Sequence, residues 1–179
     1  MDNKDKMVVF FDCGDTIIDE GSELRRKEGG IVYQADTIPG AVEAVRAIRR
    51  AGHKIALVAD GYGISFGNML SAHGLMDCFD AFIVSSEVKA EKPDKRMFQA
   101  AMDALSLTEE DKGRIVMIGN NLKRDILGAN AFGIRSILLS WSPRYDMTPK
   151  NEEEEPTYVV STPDELPALI ESMKPITDR

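Results

Sequence analysis

The 179-residue sequence predicts an α/β protein in three layers, a parallel β-sheet covered on both faces by helices. Two observations predict it. Short apolar runs rich in β-branched residues recur along the chain, each bounded by Gly, Asp, Ser or Asn, and stretches of helical periodicity lie between them. The runs are apolar on both sides, as strands buried on both faces of a parallel sheet require.

The first predicted strand is MVVFF at 7–11. Residues 14–38 then carry no long periodic pattern and read as an ordered loop or small hairpin. A helix follows at 39–52 (PGAVEAVRAIRRAG), opened by Pro and Gly and apolar on one face. The remaining strands are IALVA at 55–59, AFIV at 81–84, IVMI at 115–118 and SILL at 136–139, with helices at 64–73, 94–105 and 121–132. Residues 146–157, which include the run Glu152 to Glu155, read as a solvated acidic surface loop. The chain ends with a short strand YVV and a helix from Pro163 onward. One domain over 1–179 is the expectation at this length, and no internal repeat is present.

Composition excludes several function classes. The net charge of −8 opposes sequence-independent binding to nucleic acid or anionic lipid, which depends on clustered Lys and Arg. No apolar run approaches the roughly 20 residues of a membrane-spanning helix, and the opening MDNKDKMVVFFD does not read as a signal peptide. Two cysteines, Cys13 and Cys78, fit a reducing cytoplasm better than an exported, disulfide-bonded protein. Small molecules and proteins are the expected partners.

In a parallel sheet, ligands bind at the carboxyl ends of the strands. There the first strand ends in Asp12-Cys13-Gly14-Asp15-Thr16, the second in Ala59-Asp60-Gly61 and the fourth in Gly119-Asn120, with Asp125 about one turn further on. Lys92-Pro93 follows the third strand. Carboxylates, an amide and an ammonium group should therefore meet at one rim. Such an acidic cluster is tolerable around a divalent cation, and hard oxygen ligands favour Mg²⁺. Lys92 would balance the charge of a bound phosphate, and Asp12 could attack phosphorus to form an aspartyl phosphate. Backbone N–H groups at Gly61 and beyond would cradle an anion.

These residues carry a family resemblance. The strand with FFDCGDTIID, the strand ending near residue 60, EKPDKRMF and IGNNLKRDILGANAFG follow one another as do the four motifs of the haloacid dehalogenase-like hydrolase superfamily. The resemblance spans roughly 7–140 and implies a Rossmann-like sheet with the nucleophile, Asp12, at the end of the first strand. It implies a phosphatase with Mg²⁺ held by Asp12, the Gly14 carbonyl, Asn120 and Asp125, and with Lys92 as charge stabiliser. Relatives often insert a helical cap after the first motif or between the second and third; 14–38 is too short for a helical bundle, and 61–90 holds only one helix and one strand. A capless chain implies an open site for a larger phosphorylated substrate, a small molecule or a protein, or a site closed by a second subunit of a homo-oligomer.

The motifs also depart from the family. Two positions after the nucleophile the phosphatase branch has an aspartate that protonates the leaving group; Gly14 stands there, with Asp15 beside it as the candidate acid or base. Such a group contributes about 10²–10⁴ in rate, so its loss implies slow turnover or a leaving group that needs little protonation, such as an acyl phosphate. Ala59 replaces the usual Ser or Thr of the phosphate site, and Asp60 stands where relatives often have Asn, repulsive to a phosphate unless turned away or holding a cation. Asn120 replaces an acidic residue, which weakens metal binding; it reads as a ligand or as a turn residue.

Rival readings are a degenerate relative that binds a phosphorylated ligand or partner without turnover, a metal-free carbon–halogen hydrolase, and a phospho-accepting receiver. The order of Asp and Lys along the chain argues against the last. Cys13 reads as a small buried residue, and His53 and His73 as surface residues. Trp141 reads as either pocket rim or core.

Overall fold

A computed structural model describes residues 4–176; the first three residues of the charged opening stretch lie outside it. The main sheet has six strands: β1 (Val8–Phe11), β4 (Lys54–Ala59), β5 (Ala81–Val84), β6 (Ile115–Gly119), β7 (Arg135–Leu139) and β8 (Tyr158–Val160). Their order is β5-β4-β1-β6-β7-β8, and every pairing is parallel. A separate antiparallel hairpin, β2 (Leu24–Arg25) and β3 (Val32–Gln34), lies within the irregular stretch after β1.

Successive residues of β1 point to opposite faces, and both faces are covered. Val9 and Phe11 join one core with α1 (Ala41–Arg50), α2 (Gly63–Ala72) and α6 (Leu166–Ser172). Val8 and Phe10 join the other with α4 (Lys95–Ala104) and α5 (Leu127–Phe132). All four are essentially removed from water, which stabilises the fold by about 1.5–3 kcal/mol for each large side chain. A single turn, α3 (Ser85–Val88), follows β5.

The helices form where the periodicity places them. In α1, Ala41, Ala44, Val45 and Ile48 are buried and the last turn carries Arg49 and Arg50, which suit the negative end of the helix dipole. α4 is capped by Asp94, whose carboxylate accepts from Arg96 N at 2.9 Å, and it buries Met97, Phe98, Ala101 and Met102. The stretch after β6 differs from the predicted continuous α-helix: it opens with a π-helical turn at Leu122–Ile126 before α5 begins.

Two further expectations are corrected, and one open alternative is decided. His53 is buried, with Nδ1 3.3 Å from the Met7 carbonyl and Nε2 2.6 Å from Glu171 Oε1, a partner 118 residues away that local sequence does not suggest. Glu154, within the acidic loop, is buried because its carboxylate accepts from Lys150 N at 3.0 Å. Trp141 is half-buried and packs against the core that holds α1, α2 and α6. Among the described residues no helix is long and apolar enough to cross a membrane, and no helical cap is inserted into the sheet domain.

Candidate active site

The chain leaves β1 toward one face of the sheet and β6, its neighbour, toward the other, so a crevice opens between their carboxyl ends. Asp12 stands at this point. Its N–H extends the sheet pairing to the Ile118 carbonyl at 2.9 Å. Immediately after it the Cys13 carbonyl accepts from the N–H groups of Thr16, Ile17 and Ile18 at 3.2, 2.8 and 3.0 Å, turning the chain sharply away. Sheet on one side and turn on the other fix the nucleophile candidate in place.

Lys92 reaches the same point from the loop after α3 and is buried. Its ammonium donates to Asp12 Oδ1 at 2.7 Å and to the Val58 carbonyl at 2.7 Å. It also pairs with Asp125 Oδ1 at 2.7 Å, so the one ammonium serves two carboxylates. Burial alone would make the ammonium easier to deprotonate; the carboxylates of Asp12, Asp125 and Asp60 overturn this and hold it charged. Asp125 is pushed the other way, its pKa raised because burial and the nearby Asp12 disfavour a second carboxylate charge more than Lys92 favours it.

Asp125 comes from the π-helical turn, a device common at functional sites. Its Oδ2 accepts from Asn121 N at 3.1 Å, and Asn121 in turn caps the turn by accepting from Lys123 N and Arg124 N. The pocket in front of these groups has a volume of about 230 Å³ and is walled by Asp12, Gly14, Asp60, Gly61, Lys92, Asn120 and Asp125. The structure thus brings together most of the residues picked from sequence. A larger open groove of about 940 Å³ around Gly113, Ile134 and Arg135 lies at the opposite ends of the strands and gathers none of them.

Two residues picked from sequence do not reach the pocket. Ala59 faces the core. Asp15 is wholly buried at φ 46°; its Oδ1 accepts from Glu20 N at 3.0 Å and its Oδ2 from Arg144 Nε at 2.5 Å, so both oxygens are engaged away from Asp12. Gly61 borders the pocket, but its N–H donates to Ser85 Oγ at 2.8 Å and is not free to hold an anion. The Asp60 carboxylate is turned aside: Oδ1 accepts from Lys92 N at 3.0 Å, and Oδ2 lies 3.3 Å from Arg124. It anchors the backbone of Lys92 instead of repelling a phosphate.

Sequence reasoning missed Glu20, Arg124 and Tyr145, which also line the pocket. Glu20 belongs to a 3-10 turn, Glu20–Ser22, within the stretch read as loop. Burial, with Asp15, Asp12 and Glu23 nearby, raises its carboxyl pKa, opposed by Arg144. The one local signal for Arg124 was its position next to Asp125; Tyr145 and Arg144 had none.

The donor set can be tested for a cation. Asp125 Oδ1 shares the Lys92 ammonium with Asp12, and the buried amide nitrogen of Asn120 is without a partner among the described residues. A half-turn of that amide would present its oxygen from the same place. With Asp12 and the Gly14 carbonyl these are hard oxygen ligands that fit Mg²⁺. Among the described residues no three His, Cys, Asp or Glu side chains cluster about one point, so a cation here would depend on two carboxylates, neutral oxygens and water.

The chain belongs to the haloacid dehalogenase-like hydrolase family, whose profile matches residues 19–133, more than half of it. It is similar to the pyrimidine 5'-nucleotidase YjjG of Escherichia coli (strain K12), 32% identical over 133 residues that cover 74% of this chain and 56% of that protein. Glyceraldehyde 3-phosphate phosphatase of Methanopyrus kandleri is 27% identical over 128 residues, 72% of this chain and 54% of that one. The chain spans about half the length of the curated relatives it matches. The fold matches that of the magnesium-bound HAD-hydrolase YfnB of Bacillus subtilis, with a TM-score of 0.74 at 17% identity over 93% of this chain and 99% of the other. It also matches the L-2-haloacid dehalogenase of Xanthobacter autotrophicus, with a TM-score of 0.71 at 16% identity over 94% of this chain and 99% of the other.

Proposed function

We propose that this chain hydrolyses a phosphate ester or acyl phosphate through a covalent phosphoryl group on Asp12. The observation that carries the reading is the 2.7 Å contact between Asp12 Oδ1 and the buried ammonium of Lys92 at the carboxyl end of the central strand. The ammonium neutralises charge that builds on the phosphoryl oxygens as they approach. Asp12 forms the new oxygen–phosphorus bond as the bond to the leaving group breaks, and water later releases inorganic phosphate. Asp60 holds the Lys92 backbone so that its side chain points at Asp12. Most of the matched curated relatives carry phosphatase or nucleotidase names, which supports this chemistry over carbon–halogen cleavage, while one is a haloacid dehalogenase.

Mg²⁺ would be held by Asp12, Asp125, Asn120 and the Gly14 carbonyl, and it would supply charge neutralisation and orientation of the phosphate. The open pocket suits a phosphorylated small molecule or a phosphorylated protein, and a neighbouring subunit could close it. The unpaired thiols of Cys13 and Cys78 support a cytoplasmic setting.

A panel of phosphomonoesters and acyl phosphates, assayed with and without Mg²⁺ beside Asp12→Asn, tests the proposal. Turnover that requires Mg²⁺ and Asp12, with hydroxylamine-labile phosphate trapped on the protein, is the expected result. Phosphate-analogue binding with no turnover would favour a binding protein. Halide release from a haloacid without metal would overturn the reading.

A further inference from the structure

The missing acid at Gly14 is a gap in the sequence that Glu20 fills in space. A Cβ built on Gly14 would lie 2.0 Å from Glu20 Oε1, 2.7 Å from its Cδ and 2.8 Å from its Cγ. The backbone of Gly14 is not left-handed, so a side chain at 14 meets no conformational bar; it would meet the Glu20 carboxylate in its present seat, which would have to swing aside. Both Gly14 and Glu20 face the pocket that contains Asp12.

Glu20 is held there by a dedicated seat. Its N–H donates to Asp15 Oδ1 at 3.0 Å, and the 3-10 turn it opens is capped by Asp19, which accepts from Gly21 N at 2.8 Å. Arg144 Nε bridges Asp15 Oδ2 at 2.5 Å and Glu20 Oε2 at 3.4 Å. Glu20 Oε1, the oxygen beside Gly14, accepts no hydrogen bond among the described residues. A buried Asp15 thus fixes the backbone, Arg144 fixes one carboxylate oxygen, and the other is left open to the pocket.

We propose that Glu20 supplies the acid and base that position 14 lacks, which admits phosphate monoesters of alcohols as substrates; the proposal rests on the phosphatase reading above. Protonated Glu20 gives its proton to the ester oxygen as the phosphorus–oxygen bond breaks and Asp12 takes the phosphoryl group, so the alcohol departs neutral. Ionised Glu20 then takes a proton from the water whose oxygen attacks phosphorus. The Asp12–phosphorus bond breaks, and the Asp12 carboxylate and inorganic phosphate are regenerated. Asp15 is a positioning residue in this scheme.

The test compares kcat/KM for a primary alkyl phosphate and for acetyl phosphate, whose carboxylate leaving group needs no proton. The wild type, Glu20→Gln, Glu20→Ala, the double variant Gly14→Asp with Glu20→Ala, and Asp12→Asn are assayed with Mg²⁺ after thermal melts confirm folding. The Glu20 single variants should lose about 10²-fold or more on the alkyl phosphate and less than about threefold on acetyl phosphate. The double variant, with the Glu20 obstruction removed, should regain about tenfold or more on the alkyl phosphate. Equal losses on both substrates, or none, with Asp12→Asn inactive, would overturn the role of Glu20 and leave the phosphatase reading standing. Absence of turnover by the wild type on both substrates would overturn the two together.

Discussion

Gly119 and Asp125 share one small volume: a Cβ at 119 would lie 2.2 Å from both Cγ and Oδ2 of Asp125. The end of β6 has to be bare for the carboxylate to lean across it from the π-helical turn toward Lys92. Gly119→Ala should therefore displace Asp125, costing about 1–3 kcal/mol of stability from overpacking. It should also lower kcat/KM by about tenfold or more. Urea denaturation and steady-state kinetics check both; an unchanged site would show Asp125 free to move at no cost.

Lys92→Met removes the ammonium that lies 2.7 Å from both Asp12 and Asp125 and leaves a buried carboxylate without a counter-charge. Breaking such a pair costs about 3–5 kcal/mol, and the accompanying change Asp125→Asn should return part of it. A double-mutant cycle on unfolding free energies measures the coupling. Additivity would mean that the two charges do not sense each other.

The buried Asp125 carboxylate makes a cation detectable without any assay of turnover. Saturating Mg²⁺ should stabilise the wild type by about 1–3 kcal/mol, seen as a rise in the thermal midpoint, and should do so much less in Asp125→Asn. No rise in the wild type would remove Mg²⁺ from the site.

Asp15 can be separated from Glu20 by one conservative change. Asp15→Asn keeps an oxygen for the Glu20 N–H while losing the charge that faces Arg144. Turnover should fall by less than about tenfold, well short of the loss expected for a missing acid. A fall as deep as that of Glu20→Gln would show that the charge of Asp15, through Arg144, is required to hold Glu20 in place.

Cys13 is fully buried, and burial with Asp12 nearby raises its thiol pKa well above the ordinary value, whereas Cys78 is half-buried. A thiol reagent at mildly alkaline pH should therefore modify one cysteine quickly in the native protein and both in denaturant. Peptide mapping should place the fast label on Cys78; rapid labelling of Cys13 would show that the turn after β1 opens readily.

Much of this was legible from local pattern. The strand carrying Asp12 is apolar on both faces because both of its neighbours and both helical layers cover it, and that condition is written into MVVFF. Asp12, Lys92 and Asp125 could be placed together because a parallel sheet delivers every strand end to one rim. What local pattern does not carry is pairing at a distance. Asp15 reads as a candidate acid or base until Arg144, 129 residues on, is seen to engage it, and Asp60 reads as repulsive until its carboxylate is seen to hold the Lys92 backbone. Glu20 was hidden for a related reason: its turn has no periodicity, and its relation to Gly14 is steric.

The overlap at Gly14 also bears on ancestry. Asp at 14 and Glu at 20 compete for one space, because the first atom of the former falls where the carboxylate of the latter now sits. A chain holding both would have to swing the Glu20 carboxylate away from Gly14, so the two positions are alternative sources of one acid. Homologues of this chain should accordingly sort into two groups, those with a side chain at 14 and a short residue at 20, and those with Gly at 14 and Glu at 20, with few holding both.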